Sequence, residues 1–260
     1  MISLSRSGGS IKLGMEDEAQ PGAWPLSVVY EDEALVVVDK PPGMQTHRGF
    51  GERAPALLQH AREAVGGWLH PMHRLDRPTS GLVVFARDPE SAAHLAQQFR
   101  EGVPNKRYVA WVRGRPPEFG VLDYPVPKTK DGARVPARTA WCRHHEHAGY
   151  SLVEAAPQTG RYHQIRRHLK HMSAPILGDV RYGDGRHNRR CRAELGLFRL
   201  ALHAFRLVLR HPRDGAWLDL RAPLPPDLAQ AVDRWCPGAL ARLPAEATGP
   251  KGLFPGPRGG

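Results

Sequence analysis

Short apolar runs separated by turn signals are the sequence feature that most restricts the fold of this chain. In PLSVVYEDEALVVVDKPPG, two such runs flank the acidic turn Glu31-Asp32-Glu33, and Pro41-Pro42-Gly43 ends the second run. Apolar runs of this length on either side of a polar turn predict a β-hairpin. This part of the chain is therefore predicted to form two antiparallel strands.

Further strands and helices follow without the regular alternation of a βαβ fold. Strand-like runs lie at 82–86, 107–112, 150–155, 200–209 and 217–220. Helical patterns lie at 54–65, 89–99, 163–171 and 227–235, the second with Asp88 as N-cap and Pro89 at the first helical position. Because hairpin-like pairs are mixed with scattered helices, we predict an α+β fold with a central, mostly antiparallel mixed sheet flanked by helices and loops.

The ends of the chain differ in composition from its middle. Residues 1–24 lack the apolar stretch of a signal peptide and are predicted to form a disordered leader. Residues 243–260 are rich in Pro and Gly, which predicts a flexible tail. We expect a single folded domain between them, over residues 25–242.

Cysteine usage and charge narrow the class of protein. No apolar run approaches the ~20 residues that cross a bilayer. Cys142, Cys191 and Cys236 are far apart and form no disulfide framework, so a cytoplasmic protein without a membrane partner is predicted. The formal net charge of +11 favours a polyanionic partner, most often nucleic acid, over an ordinary basic protein.

Several common chemistries lack sequence support. There is no GxxxxGK[ST] run, no GxGxxG after a strand and no GxSxG elbow, so neither a nucleotide cofactor nor a serine hydrolase is predicted. The clustered histidines do not supply the three or four convergent ligands of a zinc site, so no metal is predicted. We expect most of them to be exposed, capping or facing nucleic acid. They are His144, His145, His147, His163, His168 and His171.

Three stretches each place one chemically useful side chain beside a turn or a strand. HRLDRPTSG carries Asp76 among cationic neighbours, KRYVAWV carries Tyr108, and TGRYHQIRRH carries Arg166. Taken singly, these residues fit a turn aspartate, a half-buried strand tyrosine and a solvated helix charge. Taken together, they offer a carboxylate kept ionised by neighbouring cations, a phenol and a guanidinium for one cleft.

The same stretches carry a resemblance to a known family. HRLDRPTSG, KRYVAWVRG and TGRYHQIRRHLKHMSAPILGD resemble, in this order, the three signature motifs of the RluA-type pseudouridine synthases. The resemblance runs from about residue 28 to about residue 221 and includes VVVDKPPGMQTH and LFRLALHAFRLVLRHP. Pro78, LDYPV at 122–126 and GDVRYGDGRHNR at 178–189 are similar to the branch of the family that acts on tRNA.

The resemblance implies a pseudouridine-synthase-type catalytic domain with an RNA cleft across one face. Its reaction detaches uracil from ribose at N1, turns the base and rejoins it through C5, so it consumes nothing and requires no cofactor. Asp76 would be the essential catalytic residue, ionised whether it attacks the sugar or the base or abstracts a sugar proton. Arg166 would form an ion pair with Asp76, and Tyr108 would stack on the uracil and carry a proton.

A stacked uridine must be flipped out of the RNA to reach such a site. The resemblance implies that Arg74 enters the vacated space and that Ile165 lines the base pocket. Other polar side chains of the three motifs are predicted to bind the substrate. They are His73, Arg77, His163, Arg161 and Lys106.

The remaining basic side chains are candidates for phosphate contacts, which position RNA without reading its sequence. The segment 181–192 is the best candidate, because it is basic and reads as a loop. The full set is Arg48, Arg53, Lys106, Arg107, Lys128, Lys130, Arg134, Arg138, Arg167, Lys170, Arg181, Arg186, Arg189 and Arg190.

RNA, and tRNA in its T-stem region in particular, is therefore the predicted partner of a monomeric enzyme. Two alternatives stay open at this point. The same chemistry could act on ribosomal RNA, or the chain could be a non-catalytic RNA-binding protein on the same scaffold. The presence of Asp76, Tyr108 and Arg166 together argues against the second alternative.

Overall fold

Ten strands form one large sheet in a computed structural model that describes residues 26–47 and 56–242. The predicted leader, 1–24, and the predicted tail, 243–260, lie outside the described residues. So do Arg48 and Arg53, two of the predicted phosphate contacts. Within the described part of the chain, no helix is both long and apolar enough to cross a bilayer.

Twelve strands occur in the described ranges. They are β1 (Ser27–Glu31), β2 (Leu35–Lys40), β3 (His70–Pro71), β4 (Ser80–Ala86), β5 (Asn105–Arg113), β6 (Phe119–Asp123), β7 (Val126–Pro127), β8 (Arg134–Val135), β9 (Arg138–His147), β10 (Tyr150–Pro157), β11 (Leu202–Arg210) and β12 (Trp217–Arg221).

The main sheet has the strand order β1-β2-β4-β11-β5-β10-β9-β6, with β3 paired to β4 and β12 paired to β11. Strands β7 and β8 form a separate pair. Neighbouring strands are antiparallel except for β4 and β11, which run parallel. The predicted mixed and mostly antiparallel sheet is confirmed. So is the predicted hairpin, formed by β1 and β2, whose turn is held by the Asp32 carboxylate.

The parallel contact between β4 and β11 depends on Gly81. Gly81 lies in β4 with a φ of +115. A Cβ atom at this position would lie 2.3 Å from the backbone oxygen of Ala204. Only glycine allows the two backbones to approach this closely. The close approach places the loop that precedes β4 directly beside β11.

Gly43, in the turn after β2, has a φ of +84. At Gly43 a Cβ atom would meet nothing within 4 Å, so only the left-handed turn conformation favours glycine there. At Gly81 the close approach of the two backbones adds a steric requirement that no other residue type meets.

Both faces of the sheet are covered, and alternate residues of one strand enter different cores. In β2, Val36 and Val38 belong to the larger core, whereas Leu35 and Val37 belong to the smaller one. All seven residues of β4 are buried. A strand buried on both faces reads as a continuous apolar run, which is why 82–86 could be predicted as a strand.

Five α-helices lie around the sheet within the described ranges. They are α1 (Leu57–Val65), α2 (Pro89–Glu101), α3 (Gln164–His171), α4 (Gly185–Leu195) and α5 (Pro226–Trp235). Helix α2 begins as predicted, because the Asp88 side chain accepts the Ser91 N–H at 2.8 Å and Pro89 is the first helical residue.

Helix α4 corrects the prediction that the basic segment 181–192 is a loop. The Asp184 carboxylate accepts the backbone N–H groups of Arg186 and His187 at 2.8 and 3.2 Å and so caps the helix. Cys191 and Leu195 are buried on the inner side of the helix. Only these two apolar residues mark the inner side of the helix, and the surrounding arginines make the segment read as a polar loop.

Candidate active site

A cleft of about 1140 Å³ lies between the loop before β4, strand β5 and the start of α3. Nine of the ten predicted site residues line it, which brings together three stretches that are far apart in the chain. The exception is Arg77. The nine residues are His73, Arg74, Asp76, Lys106, Tyr108, Arg161, His163, Ile165 and Arg166.

Asp76 lies in the loop 72–79, between β3 and β4. The Thr46 hydroxyl accepts the Leu75 N–H at 3.1 Å and donates to the Leu75 carbonyl at 3.2 Å. The Thr79 N–H donates to the Asp76 carbonyl at 3.0 Å, which closes a turn around the acid. The carboxylate is therefore carried by a backbone that is fixed on both sides, and its side chain remains 24% exposed to the cleft.

Arg77 and Lys40 hold the other side of this loop. The Arg77 guanidinium donates through Nε to the Gly43 carbonyl at 2.9 Å, and the Gly43 N–H donates to the Arg77 carbonyl at 2.9 Å. The buried Lys40 ammonium donates to the carbonyls of Pro41, Met44 and Arg77 at 2.9, 2.8 and 3.2 Å. These contacts give Arg77 a structural position beside the site.

Arg166 lies between two carboxylates. Its Nη1 donates to Asp76 Oδ2 at 3.0 Å, while Nε and Nη2 donate to the two oxygens of Asp179 at 2.8 Å each. Burial lowers the pKa of Arg166, but the hydrogen bonds and charges of Asp179, and then of Asp76, outweigh burial and raise it. Burial would raise the pKa of Asp179, but Arg166 and the N–H groups of Tyr182 and Arg181 hold it below its ordinary value. The guanidinium therefore stays charged and fixed in orientation.

Tyr108 and Ile165 supply the apolar part of the cleft. Tyr108 lies in β5 with two small neighbours, Ala155 on β10 and Ala204 on β11. Burial, and then the charge of Asp76, raises the pKa of the Tyr108 phenol, so the hydroxyl stays protonated. Ile165 is buried in the first turn of α3. The pair leaves a flat apolar surface beside an anionic group.

His73 and Lys106 line the cleft beside the end of α2. The Val84 N–H donates to His73 Nε2 at 3.2 Å, and the His73 ring packs against Phe99 with centroids 5.2 Å apart. Burial, and then the charge of Lys106, lowers the pKa of His73 to about 3. His73 is therefore a neutral acceptor that fixes the loop to β4. Burial also lowers the pKa of Lys106 to about 8, which leaves it mostly charged at neutral pH.

The remaining predicted residues differ in how firmly they are held. Arg74 is exposed at the cleft. The Arg161 N–H donates to Gln164 Oε1 at 3.1 Å, and its Nε donates to the Pro136 carbonyl at 3.4 Å. His163 Nε2 lies 3.7 Å from Asp76 Oδ2. Of these three residues, only His163 contacts the carboxylate.

Comparisons with known proteins agree with this arrangement. Residues 34–171, more than half of the chain, match the RNA pseudouridylate synthase family. The chain belongs to this family. Its members are pseudouridine synthases, which are isomerases, so the expected family and the expected enzyme class are confirmed.

Individual relatives also support this assignment to the family. The chain is 38% identical over 213 residues to tRNA pseudouridine synthase C of Haemophilus ducreyi, covering 72% of this chain and 86% of that protein. It is 39% identical over 220 residues to tRNA pseudouridine synthase C of Pectobacterium carotovorum subsp. carotovorum, covering 76% of this chain and 58% of the length of that relative. The structure of Human RNA Pseudouridylate Synthase Domain Containing 4 has a TM-score of 0.67 at 30% identity, covering 80% of this chain and 92% of that one. The predicted fold is confirmed.

Sequence reasoning missed residues that support the site of this pseudouridine synthase. Asp179 lies 13 residues after Arg166, in the GDVRYGD stretch that the family comparison had singled out without a role. Tyr182 follows it and reaches His163. Lys40 stands in VVVDKPPG, where its position at the end of an apolar strand was a usable signal, since a lysine there must find several acceptors.

Arg107 corrects one predicted phosphate contact. It precedes Tyr108 in β5, so its side chain points away from the cleft. Its side chain is 3% exposed and pairs with Glu154 at 3.1 Å, and Glu154 also contacts His144 Nε2 at 2.8 Å. This buried group holds β5, β9 and β10 together and is closed to RNA.

His144 and His168 correct the expectation of exposed or RNA-facing histidines. His144 is almost fully buried beside Glu154. His168 is buried and contacts the Thr139 hydroxyl and the Tyr124 carbonyl, both at 2.9 Å. Both therefore join elements within the protein. Within residues 26–47 and 56–242, no group of three or more His, Cys, Asp or Glu side chains is placed to hold a metal ion.

Proposed function

We propose that this chain converts a uridine of tRNA, in the T-stem region, into pseudouridine, with Asp76 as the essential catalytic carboxylate. The observation that carries the proposal is the Asp76–Arg166 contact of 3.0 Å inside the cleft. Arg166 and His163 both contact Oδ2, and among the described residues no hydrogen bond or ion pair engages Oδ1. Oδ1 is thus left to meet the substrate.

Tyr108 and Ile165 would hold the uracil between them. The aromatic ring offers a stacking surface, and the raised pKa of the phenol keeps the hydroxyl protonated, so that it can donate a hydrogen bond to the base. Detaching N1 from ribose and rejoining the base through C5 requires the base to turn in place. A pocket bounded by flat and apolar side chains holds the base without fixing its rotation.

Arg74 would enter the space that the flipped nucleotide leaves in the RNA. Its side chain is exposed at the cleft, whereas Arg166 is buried and paired. A planar guanidinium can stack on the neighbouring bases and donate to their edges. His73, by contrast, is held against β4, so we assign it to shaping the loop that carries Asp76.

The charge distribution supports RNA as the partner. Cationic side chains line the cleft around Asp76, and further arginines lie exposed on α4. They would contact phosphates and make binding depend on salt. The relatives named tRNA pseudouridine synthase C favour tRNA over ribosomal RNA. Besides Arg166, the Arg and Lys side chains that line the cleft are Arg74, Arg100, Lys106, Lys128, Lys130, Arg138 and Arg161.

The proposal includes a monomeric enzyme that works in the cytoplasm without a cofactor. Isomerisation consumes no co-reactant, so the protein side chains suffice for the chemistry. Cys142, Cys191 and Cys236 are free thiols, which suits a reducing compartment.

The test is pseudouridine mapping on unmodified tRNA and ribosomal RNA after incubation with the purified protein and with Asp76→Asn. We expect one new site in the T-stem region of tRNA and none with the variant, while the variant still binds tRNA. New sites confined to ribosomal RNA would keep the chemistry and overturn the substrate. Binding without any new site would make this a non-catalytic RNA-binding protein.

A further inference from the structure

We infer that Tyr182 is a positioning residue, which acts on Asp76 by fixing the nitrogen of His163 that carries the ring proton. The inference deepens the proposed function and rests on Asp76 being the working carboxylate. Neither Tyr182 nor the orientation of His163 follows from the sequence motifs, because the contact joins the start of α3 to the segment before α4.

The contacts around the carboxylate form a closed ring. Asp76 Oδ2 accepts from Arg166 at 3.0 Å, and Arg166 binds Asp179 through two bonds of 2.8 Å. Asp179 Oδ1 accepts the Tyr182 N–H at 3.0 Å, and the Tyr182 hydroxyl lies 3.0 Å from His163 Nδ1. His163 Nε2 then lies 3.7 Å from the starting oxygen of Asp76. Tyr182 therefore links Asp179, which binds Arg166, to His163, which lies beside Asp76.

His163 is held in an unfavourable backbone conformation. Its φ is +53 at the N-cap of α3, and its side chain makes no capping hydrogen bond. A left-handed backbone conformation is unfavourable for a non-glycine residue. The ring stacks on Tyr162 with centroids 3.8 Å apart and meets Tyr182 edge-on at 5.6 Å. These contacts, rather than the helix cap, fix the direction of the imidazole.

Charge selects one of the two neutral forms of His163. With the proton on Nδ1, the ring would donate to the Tyr182 oxygen and turn the Nε2 lone pair toward the Asp76 carboxylate. With the proton on Nε2, Nδ1 accepts the Tyr182 O–H and an N–H group faces the carboxylate. Only the second arrangement places a positive end against Asp76. Tyr182 therefore stabilises the form that is useful to the carboxylate.

The surroundings keep His163 neutral. Its side chain is 12% exposed. Burial lowers the pKa of His163 to about 4, with Asp76 and Asp179 opposing this shift and Arg166 and Arg181 adding to it. A neutral N–H orients Oδ2 without cancelling the charge of the carboxylate, which a second cation at this position would do. A shift of less than about 1 Å brings the 3.7 Å contact into hydrogen-bond range.

The first test is NMR spectroscopy of the free, full-length protein with ¹⁵N-labelled histidine at pH 7. We expect the Nε2–H form of His163 in the wild type and a mixture of both neutral forms in Tyr182→Phe. Tyr150→Phe is a matched control, because the Tyr150 hydroxyl lies 3.2 Å from His187 Nδ1 with the same edge-on packing, away from the cleft. An Nδ1–H form of His163 in the wild type would overturn the inference.

The second test is turnover on the RNA that the mapping identifies. We expect Tyr182→Phe to lower kcat by about tenfold with KM unchanged within about twofold, because it disturbs the orientation of a reacting group and not RNA binding. Tyr150→Phe should leave both constants within about twofold of the wild type, because the hydroxyl that it removes contacts His187 and lies outside the cleft. Equal kcat values for the two variants would overturn the inference.

A double-mutant cycle separates positioning from general stability. His163→Gln places an amide N–H near the Nε2 position and needs no partner to fix its form, whereas His163→Leu offers no donor. We expect Gln to retain more activity than Leu, and Tyr182→Phe to have no further effect on kcat in the Gln background. An equal loss in both backgrounds would show a merely structural role. If the wild type makes no pseudouridine at all, the proposed function fails, and the NMR result alone decides the state of His163.

Discussion

Removing the charge of Asp179 tests whether the buried acid beside Arg166 supports the site. Asp179→Asn keeps the size of the side chain but replaces one accepting oxygen by an N–H₂ group. Nε and Nη2 of Arg166 both donate to Asp179 at 2.8 Å, so one of them would face another donor. Asp179 is fully buried, and water cannot compensate for the lost acceptor.

The expected loss in the free energy of unfolding follows from this geometry. Removing one partner of a buried ion pair costs about 3–5 kcal/mol, and the retained Asp76 contact places this case near the lower end, about 3 kcal/mol. For a domain of this size, this is a fall in Tm of about 6–12 °C. The pKa of Asp179 is lowered in the folded protein, so its contribution is present above the ordinary pKa of aspartate and is lost as the pH falls.

The assay is thermal unfolding at pH 7 and at pH 3, with turnover measured at pH 7. Asp219→Asn is the matched control, since Asp219 binds the Arg206 fork through bonds of 2.7 and 2.8 Å but its side chain is 40% exposed. We expect a cost of at most about 1 kcal/mol there. The Asp179→Asn deficit should shrink at pH 3, below the ordinary pKa of aspartate, and kcat at pH 7 should fall. Equal changes in Tm for the two variants would refute the reasoning.

Three further predictions concern other parts of the molecule. Burial lowers the pKa of His203 to about 4, so as the pH falls the unfolded chain takes up a proton before the folded protein does. The free energy of unfolding should therefore fall by about 1.4 kcal/mol per pH unit from pH 6.5 to pH 4, and urea titrations of His203→Asn should lack this part of the slope. Gly81→Ala should cost more than about 3 kcal/mol by the same assay, because its Cβ would meet Ala204, whereas Gly149→Ala, at φ +80 in open space, should cost about 1 kcal/mol; similar costs would exclude the steric argument. Because the pKa of Lys106 is about 8, tRNA affinity should weaken between pH 7 and 9, and filter binding should show Lys106→Met to be weaker at pH 7 and less sensitive to pH.

The central strands could be predicted because their signal is local. Strand β4 is buried on both faces and reads as an apolar run. Strand β9 (Arg138–His147) was missed, because its second half is RHHEH and its stability comes from β6 and β10 on either side. His144 is buried there only because Glu154 lies on the neighbouring strand. A polar strand of this kind carries no sequence period that distinguishes it from a loop.

In the site, too, residues with a local sequence signal could be predicted, and residues held by long-range partners could not. Asp76 and Arg166 could be predicted because the motifs that carry them resemble those of a known family, and the structure places them 3.0 Å apart. Arg107 lies next to Tyr108 in the same motif, yet it is buried against Glu154, 47 residues away. Nothing near Arg107 in the sequence reveals that partner. Long-range pairs of this kind require the strand order and the register.

The second acid would let Asp76 be both paired and reactive in the proposed reaction. A carboxylate that alone faced Arg166 would form a neutral pair, and its negative charge would be largely cancelled. Here Asp179 takes two of the guanidinium donors and Asp76 takes one, so two carboxylates share one cation and the cluster keeps a formal charge of −1. The cationic rim of the cleft can hold RNA while this charge remains on the exposed acid. Asp179→Asn would turn the whole Arg166 charge toward Asp76, and we therefore expect a stronger ion pair there to make the enzyme slower.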